Sequence, residues 1–277
     1  MKLRIFTAAL AALAITSAVF GADAPKREFR SSWVAGMGID WPPSKGTSSS
    51  VINSAKSRIT TYLDNFRKQN FTGICFHVRP NGDAYYKSTL EPWSADISGT
   101  RGKDPGWDPL AFVVEECHKR GLECYAWINP FRISSKATTT SLTTSFDKQW
   151  DSNGWTIFSS DGTWKAFDPA NEGAMRHCLD VIKEIYTNYA IDGMLFDDYF
   201  YPGPGMAENS TADDYSEYKA SGTKLSIADW RRENVNNFVK TLQEEIQASR
   251  PDLRFGIGPA GVSYASAAKR GFSKPNI

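Results

Sequence analysis

The sequence lacks several patterns that mark common function classes. Its 277 residues carry a formal net charge of +1 without a block of basic residues, so it offers no electrostatic footprint for nucleic acid. No glycine-rich phosphate-binding motif follows the first predicted strand, which weakens a dinucleotide-binding interpretation. No His-x-His or HExxH pattern is present, and this disfavours a metal-dependent hydrolase. The sequence therefore predicts no cofactor, no metal and no nucleic-acid partner.

Cysteine and histidine are also scarce. The four cysteines are Cys75, Cys117, Cys124 and Cys178. Their spacing matches no metal site, and each lies within an apolar strand or helix pattern, so buried free thiols are expected even in an exported chain. Among the three histidines, the two on predicted helices, His118 and His177, are expected at the surface.

The first residues have the pattern of an export signal. Lys2 and Arg4 precede an apolar run that ends near Phe20, and small residues follow. We expect a secretory signal peptide over residues 1–22. A membrane anchor is the alternative, but the run is short for a bilayer span and rich in alanine. Because no cysteine lies near the cleavage region, the expected product is periplasmic or secreted, without stable membrane insertion.

Beyond the leader, within residues 28–277, apolar strand patterns alternate with amphipathic helix patterns, giving five strands and four intervening helices. The predicted strands lie in REFRSSWVAG, FTGICFHVRP, LECYAWINP, IDGMLFDDYFYP and LRFGIGPAGV. Near-continuous apolar strands that alternate with helices indicate parallel βαβ units buried on both faces. The stretch between the third strand and its helix is interpreted as irregular and aromatic.

Loop lengths distinguish an open doubly wound sheet from a closed (β/α)8 barrel. Loops that follow strands are long, at residues 37–48, 80–108, 130–170 and 202–225, whereas loops that lead into strands have only a few residues. Long loops after the strands and short loops before them are typical of a barrel whose active face is built from strand-to-helix loops. We predict an α/β fold of the (β/α)8 TIM type, and we expect it to be truncated after the fifth strand.

The segment DGMLFDDYFYP, residues 192–202, runs three bulky apolar residues into two aspartates and then into aromatics. Buried carboxylates cost several kcal/mol unless they are paired or hydrogen-bonded, so this pair is expected where the strand surfaces. Alternation directs Met194 and Phe196 toward the helices and Asp197 toward the barrel axis. Asp197 is therefore the predicted catalytic carboxylate, with Asp198 in either a catalytic or a supporting role.

Polar and small side chains are predicted on the same inner face of the neighbouring strands. Alternation places Arg79 at the rim and points Trp127 and Asn129 inward. Gly256 and Gly258 leave room for a ligand or reflect close backbone packing. The following loops contribute Asn81, Asp83, Arg132 and Asp168 to the same mouth. For Asn81 and Asp168, a turn or cap role is an equally good interpretation.

Aromatic side chains gather at this predicted mouth. Eight of the nine tryptophans fall in strands or strand-to-helix loops, and only Trp230 sits on a helix. Rings such as Trp33, Trp93 and Tyr199 beside carboxylates and amides suit a carbohydrate, because rings stack on sugar faces and polar groups bond hydroxyls. Glycoside hydrolysis ordinarily needs two carboxyl groups. Asp197 is one, and the other is either Asp83 or an acid on a strand beyond the fifth.

Several motifs occur in a characteristic order between residue 28 and about residue 264. They are RSSWVAGMGIDWP, FHVRPNGDAYYKS, DPLAFVVEECHKRGLECYAWINPFRI, DPAN, DGMLFDDYFYP, DWRRENV and FGIGPAGV. In combination they resemble the glycosyl hydrolase-like family 10, which includes the divergent peptidoglycan glycosidase of bacterial envelopes. The resemblance implies a (β/α)8 barrel, export, and cleavage of cell-wall glycan strands stripped of peptide. At the positions that match the family's motifs, the resemblance implies a substrate cleft lined by Arg79, Asn129, Arg132, Asp197 and Asp198.

The leading prediction is an exported glycosidase, retaining or inverting, that acts on peptidoglycan glycan or a related polysaccharide. The alternative is a non-catalytic glycan-binding barrel. Such a binder would keep its tryptophans and tolerate the loss of both aspartates without a change in affinity.

Overall fold

The computed structural model describes residues 28–134, 142–197, 200–202 and 206–258. It divides into two units, of which the first ends at Arg30 and is described only over residues 28–30. The second unit begins at Ser31 and carries all the elements discussed below. The predicted leader at residues 1–22 lies outside the described residues. Among the helices that are described, none has the length and apolar character needed to cross a membrane.

The second unit alternates strands and helices along the chain. Its strands are β1 (Ser31–Val34), β2 (Gly73–Arg79), β3 (Glu123–Ile128), β4 (Arg132–Ser134), β5 (Thr156–Phe158), β6 (Lys165–Phe167), β7 (Gly193–Phe196) and β8 (Arg254–Ile257). Its helices are α1 (Ser49–Lys68), α2 (Ala95–Ser98), α3 (Pro109–Lys119), α4 (Ser145–Ser152), α5 (Glu172–Asn188), α6 (Tyr215–Ala220) and α7 (Ile227–Ser249).

The main sheet contains the five predicted strands, all parallel, in the order β1-β2-β3-β7-β8. This order follows the chain without a reversal. A doubly wound sheet has a switch point where the strand order reverses, whereas a (β/α)8 barrel adds each strand beside the previous one. The described sheet therefore has barrel topology, and the predicted α/β fold of the TIM type is confirmed.

The core lies between the sheet and four long helices. Helix-facing strand residues such as Phe76, Ala126 and Met194 are fully buried, and they pack against residues such as Leu110 and Phe238 of the helices. Each fully buried apolar side chain contributes roughly 1.5–3 kcal/mol. The strand faces predicted from alternation are confirmed at Ile74, Phe76, Val78, Met194 and Phe196, which belong to the hydrophobic cluster shared with the helices, whereas Cys75 and Leu195 do not.

Local capping signals set the starts of the four long helices. The Ser48, Asp108, Asn171 and Ser226 side chains each accept a hydrogen bond from a backbone N–H of the first turn. Such caps satisfy amide groups that have no partner within the helix. Because each of these helices starts just after a strand-to-helix loop, the caps fix where the loops at the carboxyl end of the sheet finish.

The stretch that follows β3 is more regular than expected. Strands β4, β6 and β5 form a separate antiparallel sheet, and α4 lies between β4 and β5. Three-residue strands are too short to show a period in the sequence, which explains why they were missed. This sheet places Arg132 and Lys165 beside the carboxyl end of β3.

All four cysteines are buried free thiols, as predicted. The expectation for His177 is wrong, because its side chain is only 9 % exposed and packs among Trp150, Trp155 and Phe167.

Candidate active site

Asp197 follows β7 directly and is half-exposed. Its two carboxylate oxygens accept hydrogen bonds from different side chains of the neighbouring strand. The Asn129 Nδ2 amide donates to Oδ1 at 2.5 Å, and the Trp127 indole Nε1 donates to Oδ2 at 3.1 Å. Two donors on separate oxygens fix the plane of the carboxylate. The predicted convergence of Trp127, Asn129 and Asp197 at one strand end is thus present in the structure.

The amide of Asn129 is itself held from the other side. Its Oδ1 accepts a hydrogen bond from Arg132 Nη2 at 2.8 Å and lies 2.7 Å from His77 Nε2. Arg132 also donates through Nε to the Pro80 carbonyl at 2.7 Å. A continuous polar network therefore connects β2, β3, β4 and the end of β7.

Aromatic rings line the same interior. The His77 and Trp127 rings stack in parallel, with centroids 3.8 Å apart and an interplanar angle of 6°. Trp33 of β1 meets Trp127 edge-on, with centroids 4.7 Å apart, and is 42 % exposed. Trp33 thus presents an exposed ring next to the indole that donates to Asp197, and exposed rings of this kind can stack on a sugar face.

Two glycines on the inner face of the sheet have close neighbours, so part of the space predicted for a ligand is filled by side chains. A Cβ on Gly193 would lie 2.3 Å from the Tyr125 ring, and a Cβ on Gly256 would lie 2.9 Å from a Leu195 methyl group. Close packing of neighbouring side chains therefore explains these two glycines, and ligand space does not.

A small cavity lies on the other side of Arg132. It is lined by Arg132, Trp164, Lys165, Ala166, Phe200, Tyr201 and Pro202. The Lys165 ammonium is paired with Asp151. Because Arg132 lines this cavity and also bonds Asn129, the cavity borders the Asp197 network.

Arg79 does not lie at the rim, contrary to its predicted position. A register shift in β2 between His77 and Arg79 breaks the alternation, and the guanidinium enters the core, where its side chain is 1 % exposed. There it forms a two-pronged ion pair with Glu91, at 2.8 and 2.5 Å, and donates to the Asn129 and Pro130 carbonyls. These contacts indicate a structural role for Arg79, because its guanidinium N–H groups donate to Glu91 and to backbone carbonyls.

Asp83, the second predicted catalytic acid, is also buried. Its side chain is 6 % exposed and forms an ion pair with Arg101 at 3.1 Å. Burial raises the pKa of this carboxyl to about 6 against the opposing effects of Arg101 and Ser94. Arg101 also pairs with Asp147 at 2.9 Å, which ties the loop to α4. A catalytic role for Asp83 would require Arg101 to release it.

Two other predicted contacts, Asn81 and Trp93, belong to the same loop as Asp83. Asn81 is 6 % exposed, and its amide approaches the Met37 sulfur at 3.4 Å. Trp93 is half-buried and forms an isolated parallel bridge with Ala84. Their predicted contact with substrate stays a prediction.

Asp168 occupies the turn that precedes α5. Its Oδ1 accepts a hydrogen bond from the Ala170 backbone at 2.8 Å, which fits the turn role left open by the sequence. Burial raises the pKa of this carboxyl to about 6, and the nearby carboxylates of Asp214, Glu217 and Asp213 raise it further, although the Ala170 bond opposes them. Asp168 is thus a carboxyl whose protonated form persists to mildly acidic pH.

Some of the tryptophans predicted at the mouth lie in the core, and others lie around the candidate site. Trp41 and Trp150 are fully buried core residues, so their loop positions do not make them cleft residues as the sequence suggested. Trp33, Trp127 and Trp164 lie around the Asp197 network and its cavity. The predicted site residues Asp198 and Tyr199 lie outside the described residues.

Sequence reasoning missed two residues that shape this region. His77 belongs to no recognisable motif, and the signal that could have found it is strand alternation, which places it on the inner face of β2. Glu91 lies in a long loop, where no periodicity indicates a partner for Arg79. A charged residue within the strand run ICFHVRP was the available signal, because a buried arginine requires a carboxylate.

Three comparisons with known proteins bear on this geometry. Residues 28–273 match the model of the family described as glycosyl hydrolase-like 10. The chain is 36 % identical over 252 residues to the glycosyl hydrolase YngK of Bacillus subtilis, covering 90 % of this chain and 48 % of YngK. It is 33 % identical over 252 residues to the glycosyl hydrolase DigH of Escherichia coli K12, covering 84 % of this chain and 55 % of DigH. The chain thus spans about half the length of these relatives.

Among solved structures, the chain is similar to alpha-L-fucosidase isoenzyme 2 from Paenibacillus thiaminolyticus. The TM-score is 0.57 at 14 % identity, and the match covers 86 % of this chain and 33 % of that protein. At this identity the likeness concerns the fold alone, and it agrees with the barrel topology. By its family match and its curated relatives, the chain belongs to the glycosyl hydrolase-like 10 family.

Proposed function

We propose that this chain is the barrel region of an exported glycoside hydrolase that cleaves glycan strands of peptidoglycan from which the peptides have been removed. The observation that carries the proposal is Asp197, a partly exposed carboxylate at a strand end whose Oδ1 accepts from Asn129 and whose Oδ2 accepts from Trp127. Family membership supports a role of the glycoside hydrolase type. Export rests on the leader pattern at residues 1–22.

In this proposal Asp197 acts at the anomeric carbon, either by direct attack or by stabilising the positive charge that develops there. The Asn129 and Trp127 donors hold the carboxylate in one orientation before the substrate arrives. Such pre-organisation lowers the cost of reaching the reactive geometry. Trp33 supplies an exposed ring for stacking, and Arg132 presents a charged side chain at the edge of the cleft.

The proton donor for the leaving oxygen needs a carboxyl that is protonated near the working pH. Asp168 and Asp83 both have a pKa raised to about 6 by burial. Both side chains are buried, and Asp83 is also paired with Arg101, so these two are candidates together with an acid outside the described residues. Separate Asp168→Asn and Asp83→Asn variants distinguish them.

The test is hydrolysis of purified, peptide-free glycan strands by the full-length protein, followed by size analysis of the products. We expect shorter products with the wild type and a loss of at least about 10³-fold in rate for Asp197→Asn, because the neutral amide cannot attack or stabilise the anomeric centre. A matched control, Asp104→Asn in an exposed turn, should keep full activity. Undiminished turnover by Asp197→Asn would refute this role, and retained glycan binding without cleavage by the wild type would identify a glycan-binding barrel.

A further inference from the structure

His77 is a buried histidine that contacts Asn129 and Trp127, two side chains that donate to Asp197. It lies on β2 with no exposed surface. Its Nε2 is 2.7 Å from Asn129 Oδ1, and its ring lies flat against the Trp127 indole at 3.8 Å. One imidazole therefore supports both Asn129 and Trp127 in their contacts with Asp197.

The chemistry of the partners fixes the orientation of the Asn129 amide. Arg132 can only donate, so the atom that faces it must be the amide oxygen. The ionised Asp197 can only accept, so the atom that faces it must be the amide nitrogen. His77 approaches the oxygen side and must therefore donate from Nε2.

The surroundings of His77 favour that donor form. Burial lowers the pKa of the imidazole to about 3, the Asn129 bond opposes this effect, and the Arg132 charge adds to it. The ring is therefore neutral over the ordinary pH range. Its Nδ1 has no hydrogen-bond partner within the described part of the chain, which suits the unprotonated nitrogen of an Nε2–H tautomer.

We propose that His77 is a positioning residue for Asp197. It donates to Asn129 so that the amide nitrogen points at one carboxylate oxygen, and it stacks on Trp127 so that the indole N–H points at the other. This inference rests on the proposed function, because it assumes that Asp197 is the reacting group. His77 itself touches no reacting atom and acts through its two neighbours.

Two substitutions in the full-length protein separate the two contacts. His77→Phe keeps a flat ring against Trp127 but removes the N–H donor, whereas His77→Gln restores an N–H donor on a side chain of similar reach. His118→Gln is the matched control, because His118 pairs with Asp192 near the amino end of β7, away from the network.

On peptide-free glycan strands, we expect His77→Phe to lower kcat by about 10- to 100-fold, with KM changed by less than about 3-fold, because positioning is lost and binding is kept. His77→Gln keeps the donor to Asn129 and loses only the stack on Trp127, so we expect its kcat to fall by no more than about 5-fold. His118→Gln should match the wild type. A His77→Phe protein with wild-type kcat overturns the proposal. So does an equal loss of kcat in His77→Phe and His77→Gln.

Crystal structures of both His77 variants decide the inference independently of activity. We expect the Asn129 amide to leave Asp197 in His77→Phe and to keep the 2.5 Å contact in His77→Gln. If the wild type hydrolyses no glycan, the proposed function fails, but separation of Asn129 from Asp197 in His77→Phe still supports positioning. An unmoved Asn129 in that variant overturns it.

Discussion

Asp197 and Glu91 are both carboxylates beside the main sheet, but they differ in exposure and in the groups that they bind. Asp197 is half-exposed and accepts hydrogen bonds from an amide and an indole. Glu91 is 2 % exposed, and its two carboxylate oxygens accept hydrogen bonds from Nε and Nη2 of Arg79. Burial would raise the pKa of Glu91, but Arg79 and His177 lower it to about 2.

The comparison shows how one fold separates a structural acid from a reactive one. A buried ion pair uses up the acceptor capacity of its carboxylate and closes it to a ligand. A carboxylate that is held in orientation and still reaches solvent remains available for chemistry. The same contrast applies to Asp83, whose partner Arg101 also binds Asp147 and the loop carbonyls of Asn81 and Gly82.

The largest expected effect on stability comes from breaking the Glu91 pair. Arg79→Met leaves the buried Glu91 carboxylate without its arginine partner, with His177 at 3.6 Å, and should lower the free energy of unfolding by about 3–5 kcal/mol. Urea denaturation measures this change. The double variant Arg79→Met/Glu91→Leu is the matched control, because it removes both charges at similar volume and should recover most of the loss. A single variant as stable as the wild type would show that the pair is not structural.

A smaller effect is expected from Asp83, and it depends on pH. Because its folded-state pKa of about 6 lies above the ordinary value of 3.8, its stabilising contribution is present below pH 3.8 and is lost as pH rises through 6. The unfolding free energy of the wild type minus that of Asp83→Asn should therefore be about 2 kcal/mol larger at about pH 4 than at about pH 7. Denaturation of both proteins at the two pH values measures it. A difference independent of pH would mean that Asp83 does not titrate as a buried acid.

Most of the barrel was predictable because its signals are local. Apolar strands, helix periodicity and caps such as Asp108 each specify an element within a few residues. Uneven loop lengths then indicated the barrel rather than the doubly wound sheet. The small antiparallel sheet was not predictable, because its three-residue strands are too short to show a period and because β4 pairs with β6, which lies beyond α4 and β5 in the chain.

The candidate site was predictable where strand alternation holds. Alternation brought Asp197, Asn129 and Trp127 together, and the structure joins them by hydrogen bonds. It failed at Arg79, because the register shift after His77 turns that side chain toward the helices. A register shift of one residue cannot be read from the sequence. The ion pair between Arg79 and Glu91 is therefore visible only in the structure.

The most direct test of the central claim is a crystal structure of the full-length Asp197→Asn protein with a bound peptide-free glycan fragment. We predict a glycosidic bond across the side chain of residue 197, with its amide within about 3.5 Å of the anomeric carbon and a sugar ring stacked on Trp33. A fragment bound elsewhere on the barrel, with residue 197 facing only solvent, would contradict the account.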